Sequence, residues 1–324
     1  MTALRRLAGG ATRAAAVTGS ESGRGRRAGR VALGLIVDRL LGDPPDRLHP
    51  VAHFGRAMTR LEYHLWADSR LRGVAYAAAG LGQGLLAGRL VGSVPVAVAA
   101  SVAGRQLRGV ATEIGERLEE GDLQGARELL PSLVGRDPSR LDESGVAAAV
   151  IESLAENSVD AVVAPAMWAL ALGAPGALGY RAVNTMDAMV GHRDERFARF
   201  GTAAARLDDV ANLIPARVFA ALVVLTGPRR WREVIRAVAR DAPAHPSPNA
   251  GVAEAAVAAA LGVELGGPLR YGSRAEVRPR LGRGPRPGPS DIRRAVGLVD
   301  RVELLMVAAL AAVDVGVRRG GRRV

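Results

Sequence analysis

Apolar positions along this chain gather into long runs and show little alternation. Gly73–Gly104 is apolar apart from Arg89, leaving uncharged stretches of 16 and 15 residues, and Ala161–Tyr180 is 20 residues without a charge. About 20 apolar residues form a helix long enough to cross a bilayer core of about 30 Å, so these two stretches are the spanning candidates. Pro165, Gly173 and Pro175 would kink or end a helix in the second, which membrane helices tolerate where neighbours satisfy the freed carbonyls. Val31–Val37 and Val218–Pro228 are shorter runs, and Val302–Val317 is interrupted by Glu303 and Asp314. Between the long runs, Ile114, Leu118, Leu123, Leu129 and Leu133 recur near helical spacing with charges between them, predicting an amphipathic helical hairpin outside the bilayer over about 105–145. Strand signals are sparse. The pattern predicts an all-α, multi-spanning helical membrane protein, with a soluble all-α protein of buried Ala-rich helices as the competing reading of short apolar runs. Residues 1–29 lack periodicity and read as a disordered Arg-rich arm, 30–317 as one helical membrane domain with a Gly/Pro/Arg-rich loop at 265–294, and 318–324 as a basic tail.

Composition then removes whole classes of chemistry. None of the 324 residues is cysteine, which excludes disulfides, thiolate nucleophiles and Cys-based metal sites. None is lysine, so all 44 basic residues are Arg; a P-loop lysine and a Schiff-base lysine are both impossible. The net charge of +12 is concentrated: 1–30 and 270–294 each carry +6 and 318–324 carries +4, leaving the body at −4. Basic ends flanking apolar segments suit a cytoplasmic membrane surface rather than a nucleic acid, which calls for a basic folded face with stacking aromatics.

The acidic body carries the candidate chemistry. In AVIESLAENSVDAVVAPAMW, Glu152, Glu156 and Asp160 stand at i, i+4 and i+8 and drift only about 80° around a helix, with Asn157 beside them. Like charges at that spacing repel, so either this is a solvated face or something positive meets the stripe. Mg²⁺, which takes one or two protein carboxylates plus phosphate oxygens, is such a partner. YRAVNTMDAMVGHRDERF adds Asn184, Asp187, His192 and Arg193. ARLDDVANLIPAR adds Asp208, Asp209, Asn212 and Arg217, an oxygen-rich set suited to a hard cation, with salt bridges to Arg206 and Arg217 as the plainer reading. DAPAHPSPNAG holds His245, Ser247 and Asn249 in a proline-stiffened loop without a nucleophile elbow, which favours ligand positioning over hydrolysis. GRDPSRLD offers Arg136 and Asp137 for an anion or a helix cap. Near the start, His49 and His53 are i, i+4 but lack a HExxH motif, so zinc is not expected.

DRLLGDPPDRLHPV, VGRDPSRLD, ESLAENSVDAVVAPAMW, YRAVNTMDAMVGHR, FGTAAARLDDVANLIPAR and HPSPNAGVAEAAVAAALGVELGG follow one another in this order. Together they resemble the adenosylcobinamide-phosphate synthase family of cobalamin biosynthesis, over about residues 31–317. The chain departs from the family's usual aromatic residue at Val252 and its frequent Tyr at His192. The resemblance implies a multi-pass cell-membrane protein that joins (R)-1-amino-2-propanol, or its O-phosphate, to the free propionate of the corrinoid adenosylcobyric acid, with ATP as co-substrate. Other late cobalamin-pathway membrane enzymes become candidate partners alongside the lipid bilayer. On this reading Asp160, Asp208, Asp209 and Asn212 hold Mg²⁺, with Glu156 beside its phosphate. Arg136, Asp137, Arg193 and Arg217 contact phosphate or carboxylate, and Asn157, Asn184, His245, Ser247 and Asn249 orient substrates. Glu152 or Asp187 serves as base. Two other classes fit parts of the pattern: a membrane phospho- or prenyl-transferase binding Mg²⁺–diphosphate through acidic helices, and a non-catalytic scaffold for late corrinoid enzymes.

Overall fold

The structure is a computed structural model that describes residues 27–44, 47, 49–135, 137–192, 195–271 and 274–320. Arg136, Arg193, most of the 1–29 arm and the end of the tail lie outside the described residues. Helix α1 covers 27–41. Helix α2, Pro50–Leu65, starts where Pro50 pre-sets the first turn and the His49 ring accepts Val51 N–H at 3.2 Å. Then come α3 Arg70–Val91, α4 Val94–Ala99, α5 Gly104–Glu119 and α6 Leu123–Leu129. Helix α7, Glu143–Ser158, is capped by Asp142 accepting Gly145 N–H at 2.7 Å, and runs through a π turn at Val159–Val163 into α8, Ala164–Leu172. Helices α9 Ala174–Val190, α10 Thr202–Thr226, α11 Trp231–Asp241 and α12 Ala250–Leu261 follow. The antiparallel strands β1 Glu264–Tyr271 and β2 Arg274–Gly282 come next, and α13 Pro289–Gly320 closes the described fold.

The core is built on α7 and α12, whose residues 146–155 and 250–259 are buried almost without exception. Both are rich in Ala and, over these residues, apolar except for Glu152, Ser153 and Glu254, close to the pattern of a helix enclosed on every side. A second cluster, with Met58, Tyr76, Met186 and Phe200 at its centre, ties α2, α3 and α9 to the start of α10. The α3–α9 seam depends on absent side chains: a Cβ at Gly88 would lie 2.4 Å from Pro175 Cα, and one at Gly84 2.7 Å from Leu178 O. Close backbone approach through small residues is how helices associate where no hydrophobic force separates them from their solvent.

The mostly helical architecture agrees with the predicted class, and three expectations need correction. Ala161–Tyr180 is not one span. It breaks at Gly173, which adopts φ 74° and ψ −151°, a conformation open to glycine, and Pro175 opens the next helix. Two described helices are long and apolar enough to cross a membrane: α3, inside the Gly73–Gly104 stretch, and α10, whose apolar half had read as a short run. Finally, 265–294 is not simply a loop. Residues 264–271 and 274–282 pair as a β-hairpin, with Leu265 and Leu281 fully buried and a bulge between Leu265 and Gly267. From Arg274 to Leu281 charged residues fall on alternate positions, a period-two signal hidden by the Arg and Pro content.

Candidate active site

The polar centre lies where the π turn meets α9 and α10. Pro165 has no N–H to give to the Ala161 carbonyl, and Ala103 N–H takes that acceptor at 3.0 Å. The widened turn is thus held open by a neighbouring segment, and it presents Asp160 to the other two helices. One amide joins the carboxylates: Asn184 Nδ2 donates to Asp160 Oδ2 at 3.2 Å and to Asp208 Oδ1 at 3.3 Å. Asn212, one turn after Asp208, donates to Asp208 Oδ2 at 3.0 Å and accepts Tyr180 O–H at 2.8 Å. Tyr180 O–H also lies 3.4 Å from Asp160 Oδ1. Arg181 fixes the amide's orientation. Its Nε donates to Ser101 O at 2.7 Å and its NH1 to Asn184 Oδ1 at 3.0 Å, which turns the Asn184 NH₂ towards both carboxylates.

Asp187 stands one turn beyond Asn184, outside both candidate spans, with its carboxylate folded over Gly191; a Cβ there would sit 1.9 Å from Asp187 Oδ1. Burial first, then the charges of Asp208, Asp209 and Glu156, push Asp187 up to about 7. Arg217 donates to Asn249 Oδ1 at 3.0 Å, while Asn249 Nδ2 donates to Asp209 O at 2.8 Å, so the proline-rich loop is clamped onto α10 beside Asp209.

The expected three-carboxylate stripe divides. Asp160 joins the centre and Glu156 is exposed near it, but Glu152 turns the other way, is buried and accepts Gly266 N–H at 2.8 Å. The physical reason is distance along the helix: eight residues carry Glu152 about 12 Å from Asp160, to where the hairpin packs on α7. His245 faces Glu254 at 3.8 Å within the core, and its Nδ1 accepts Ser247 N–H at 3.1 Å. Ser247 Oγ accepts the N–H groups of Asn249 and Ala250, the work of a helix cap. Asp137 caps Ser139 N–H in an exposed turn, and Asn157 donates to Ser153 O and Oγ beside a separate cleft with Gln106 and Leu133. The notable omission from the sequence reading is Arg181, which sat inside a recognised motif but was passed over beside Asn184 and Asp187.

Can this centre hold Mg²⁺? The donors are all oxygens, two of them on half-buried carboxylates brought to a single amide, which suits a hard cation. Among the described residues no three His, Asp or Glu side chains form a metal cage. A cation that takes one or two carboxylates and completes its shell with phosphate and water needs no cage, so the residues fit.

The model of the CobD/Cbib protein family matches residues 31–299. Curated relatives named "Cobalamin biosynthesis protein CobD" include those of Mycobacterium tuberculosis, 46% identical over 90% of this chain and 97% of the relative, and Rhodobacter capsulatus, 42% identical over 88% and 96%. The relative from Chromobacterium violaceum is 45% identical over 86% of this chain and 95% of its own. No solved structure matches. The match of family model and relatives over nearly the whole fold, with the acidic and amide residues gathered at its centre, shows that the chain belongs to the CobD/Cbib family, the adenosylcobinamide-phosphate synthase family of cobalamin biosynthesis.

Proposed function

We propose that this chain is a membrane-bound acid–amine ligase that joins aminopropanol, or its O-phosphate, to the free propionate of adenosylcobyric acid at the expense of ATP. Family membership supports a biosynthetic role on a corrinoid. The observation that carries the chemistry is the pairing of Asp160 and Asp208 on one amide at the start of an apolar, membrane-length helix. Ionisable groups in such segments mark functional sites.

A carboxylate is a poor electrophile. Transfer of the terminal phosphoryl group of ATP to a propionate oxygen, releasing ADP, makes it a good one. The amine then attacks the acyl carbon, the carbon–oxygen bond to phosphate breaks, and inorganic phosphate leaves. Phosphoryl transfer rests on positioning and charge. Mg²⁺ held by Asp160 and Asp208, with Asp209 and Asn212 beside them, would supply positive charge to the phosphates. In a chain without lysine the other cations are guanidinium groups: Arg181 bonds Asn184 at the centre, and Arg217 holds Asn249 beside Asp209. Asp187, poised near neutrality, would accept the amine proton. Glu152 does not compete for that role, because it is engaged with the hairpin. The outward-facing Leu71, Val74, Leu86 and Leu90 of α3 and Val210, Ile214 and Leu225 of α10 support residence in a cell membrane with more than one pass.

The test is a purified-protein assay with adenosylcobyric acid, Mg²⁺, ATP and either amine, read by product mass. Amide product that depends on ATP is expected. Product without ATP, or none with either amine, would refute the assignment.

A further inference from the structure

We propose a second anion site, for a phosphate-bearing ligand, in the cleft between the N-terminus of α7 and the β1–β2 hairpin. It goes beyond the ligase reading and does not depend on it. The 16 residues of α7 place this cleft roughly 24 Å from the Asp160 end of the helix. Its volume is about 330 Å³, and Arg140, Ser144, Gly145, Gly266, Arg280 and Arg286 line it.

Three guanidinium groups reach the cleft from three segments: the turn before α7, strand β2 and the loop after it. Arg140 is exposed and makes no hydrogen bond or ion pair among the described residues. Arg280 uses one nitrogen on Glu264 Oε1 at 2.5 Å, and Arg286 uses one on Gly266 O at 2.7 Å and Glu264 O at 3.3 Å. Each guanidinium has five N–H donors in a fixed fork, so most donors remain available. Ser144 Oγ is a buried atom without a hydrogen-bond partner, and it lies in the first turn of α7, where backbone N–H groups lack helical acceptors. The acidic neighbour Asp142 is committed to capping Gly145.

The hairpin backbone lines the cleft at two glycines. Gly266 has φ 78° and Gly267 φ 97°; a Cβ at Gly266 would lie 2.1 Å from Pro279 O, whereas one at Gly267 would meet nothing closer than Arg286 NH1 at 4.0 Å. The buried Glu152 carboxylate accepts Gly266 N–H and so holds this open backbone over α7. Guanidinium forks, a hydroxyl and a helix N-terminus facing one space are complementary to a tetrahedral oxyanion with several acceptors. A soluble phosphomonoester and the headgroup of an anionic phospholipid share that chemistry.

The full chain, purified in detergent without ATP or corrinoid, is titrated with inorganic phosphate at constant ionic strength and followed by ³¹P line broadening. Saturable binding is expected in the wild type. Arg140→Gln should weaken it about tenfold and Ser144→Ala about threefold, while Arg319→Gln, on the far end of α13, leaves it unchanged. Competition in phosphatidylcholine nanodiscs with and without phosphatidylglycerol then separates the sources: phosphate displaced by phosphatidylglycerol identifies a headgroup, and undisplaced phosphate a soluble ligand. Failure of phosphate to bind, or equal binding in Arg140→Gln, Ser144→Ala and wild type, would overturn the site. Amide synthesis takes no part in the measurement, so failure of the ligase reading would leave it standing.

Discussion

Asp208→Asn separates stability from function at the acidic centre. Asp160 and Asp208 accept from the same nitrogen at 3.2 and 3.3 Å, so their accepting oxygens are no more than 6.5 Å apart. Two full unit charges at that distance would repel by about 2.5 kcal/mol at an effective dielectric constant of about 20, an upper bound because burial, and then Asp208 itself, push the Asp160 carboxyl well above the ordinary range. Arg181, bonded to Asn184, offsets part of this, which leaves a net cost of about 1–2 kcal/mol in the metal-free protein. Asparagine keeps the shape, and its carbonyl can still accept from Asn184 or Asn212. The variant should therefore be more stable than wild type in EDTA, with an apparent melting temperature raised by roughly 1.5–3 °C, and should lose both the stabilisation by Mg²⁺ and the activity. Thermal unfolding in detergent, with and without Mg²⁺, reads the first two effects and product formation the third. A variant less stable than wild type in EDTA, or one that keeps the Mg²⁺ response, would refute the reasoning.

Three further outcomes follow from particular contacts. Gly88→Ala must displace the backbone of Pro175 and should lower the melting temperature clearly, whereas Gly82→Ala, with nothing within 4 Å of its new methyl, should stay within about 0.5 kcal/mol of wild type; parallel unfolding curves compare them. Glu152→Ala leaves the N–H of Gly266 unsatisfied at a cost of about 1–3 kcal/mol, and limited proteolysis should then cut in the β1–β2 hairpin first. Asp38 is buried, and desolvation, with help from Glu303 and Asp43, pushes it up to about 6 against an ordinary 3.8. The folded state thus binds more protons between these values, and stability falls as pH rises from about 4 to about 6, by at most roughly 3 kcal/mol. Asp38→Asn should flatten that slope, which stability measured across the range would show.

The residues of the centre were legible before the fold, because carboxylates and amides at helical spacing inside apolar surroundings ask for a partner. Asp208 and Asn212 share a face as i, i+4 spacing requires, and Asn184 lies in a motif of its own. Which acids converge was not legible. Glu152 leaves the stripe because about two helical turns separate it from Asp160 and bring it to the hairpin, and that depends on a contact 114 residues away in sequence. The length of α10 was hidden because Arg206, Asp208, Asp209 and Arg217 break its hydropathy, Asp208 serving the centre and Arg217 holding Asn249. The hairpin was masked by Arg, Gly and Pro, residues that elsewhere mark loops but here alternate with a buried Leu at each end. Arg181 was overlooked since a single guanidinium at the edge of an uncharged run looks like the end of a span.

The most direct test of the central claim follows the atoms of the substrate acid. Adenosylcobyric acid labelled with ¹⁸O in its free propionate is incubated with the protein, the amine, ATP and Mg²⁺, and the inorganic phosphate is analysed by mass. Activation by phosphoryl transfer at the Asp160–Asp208 centre predicts one labelled oxygen in each phosphate released, and no labelled phosphate from Asp160→Asn. Unlabelled phosphate accompanying amide product, or labelled phosphate from that variant at the wild-type rate, would contradict it.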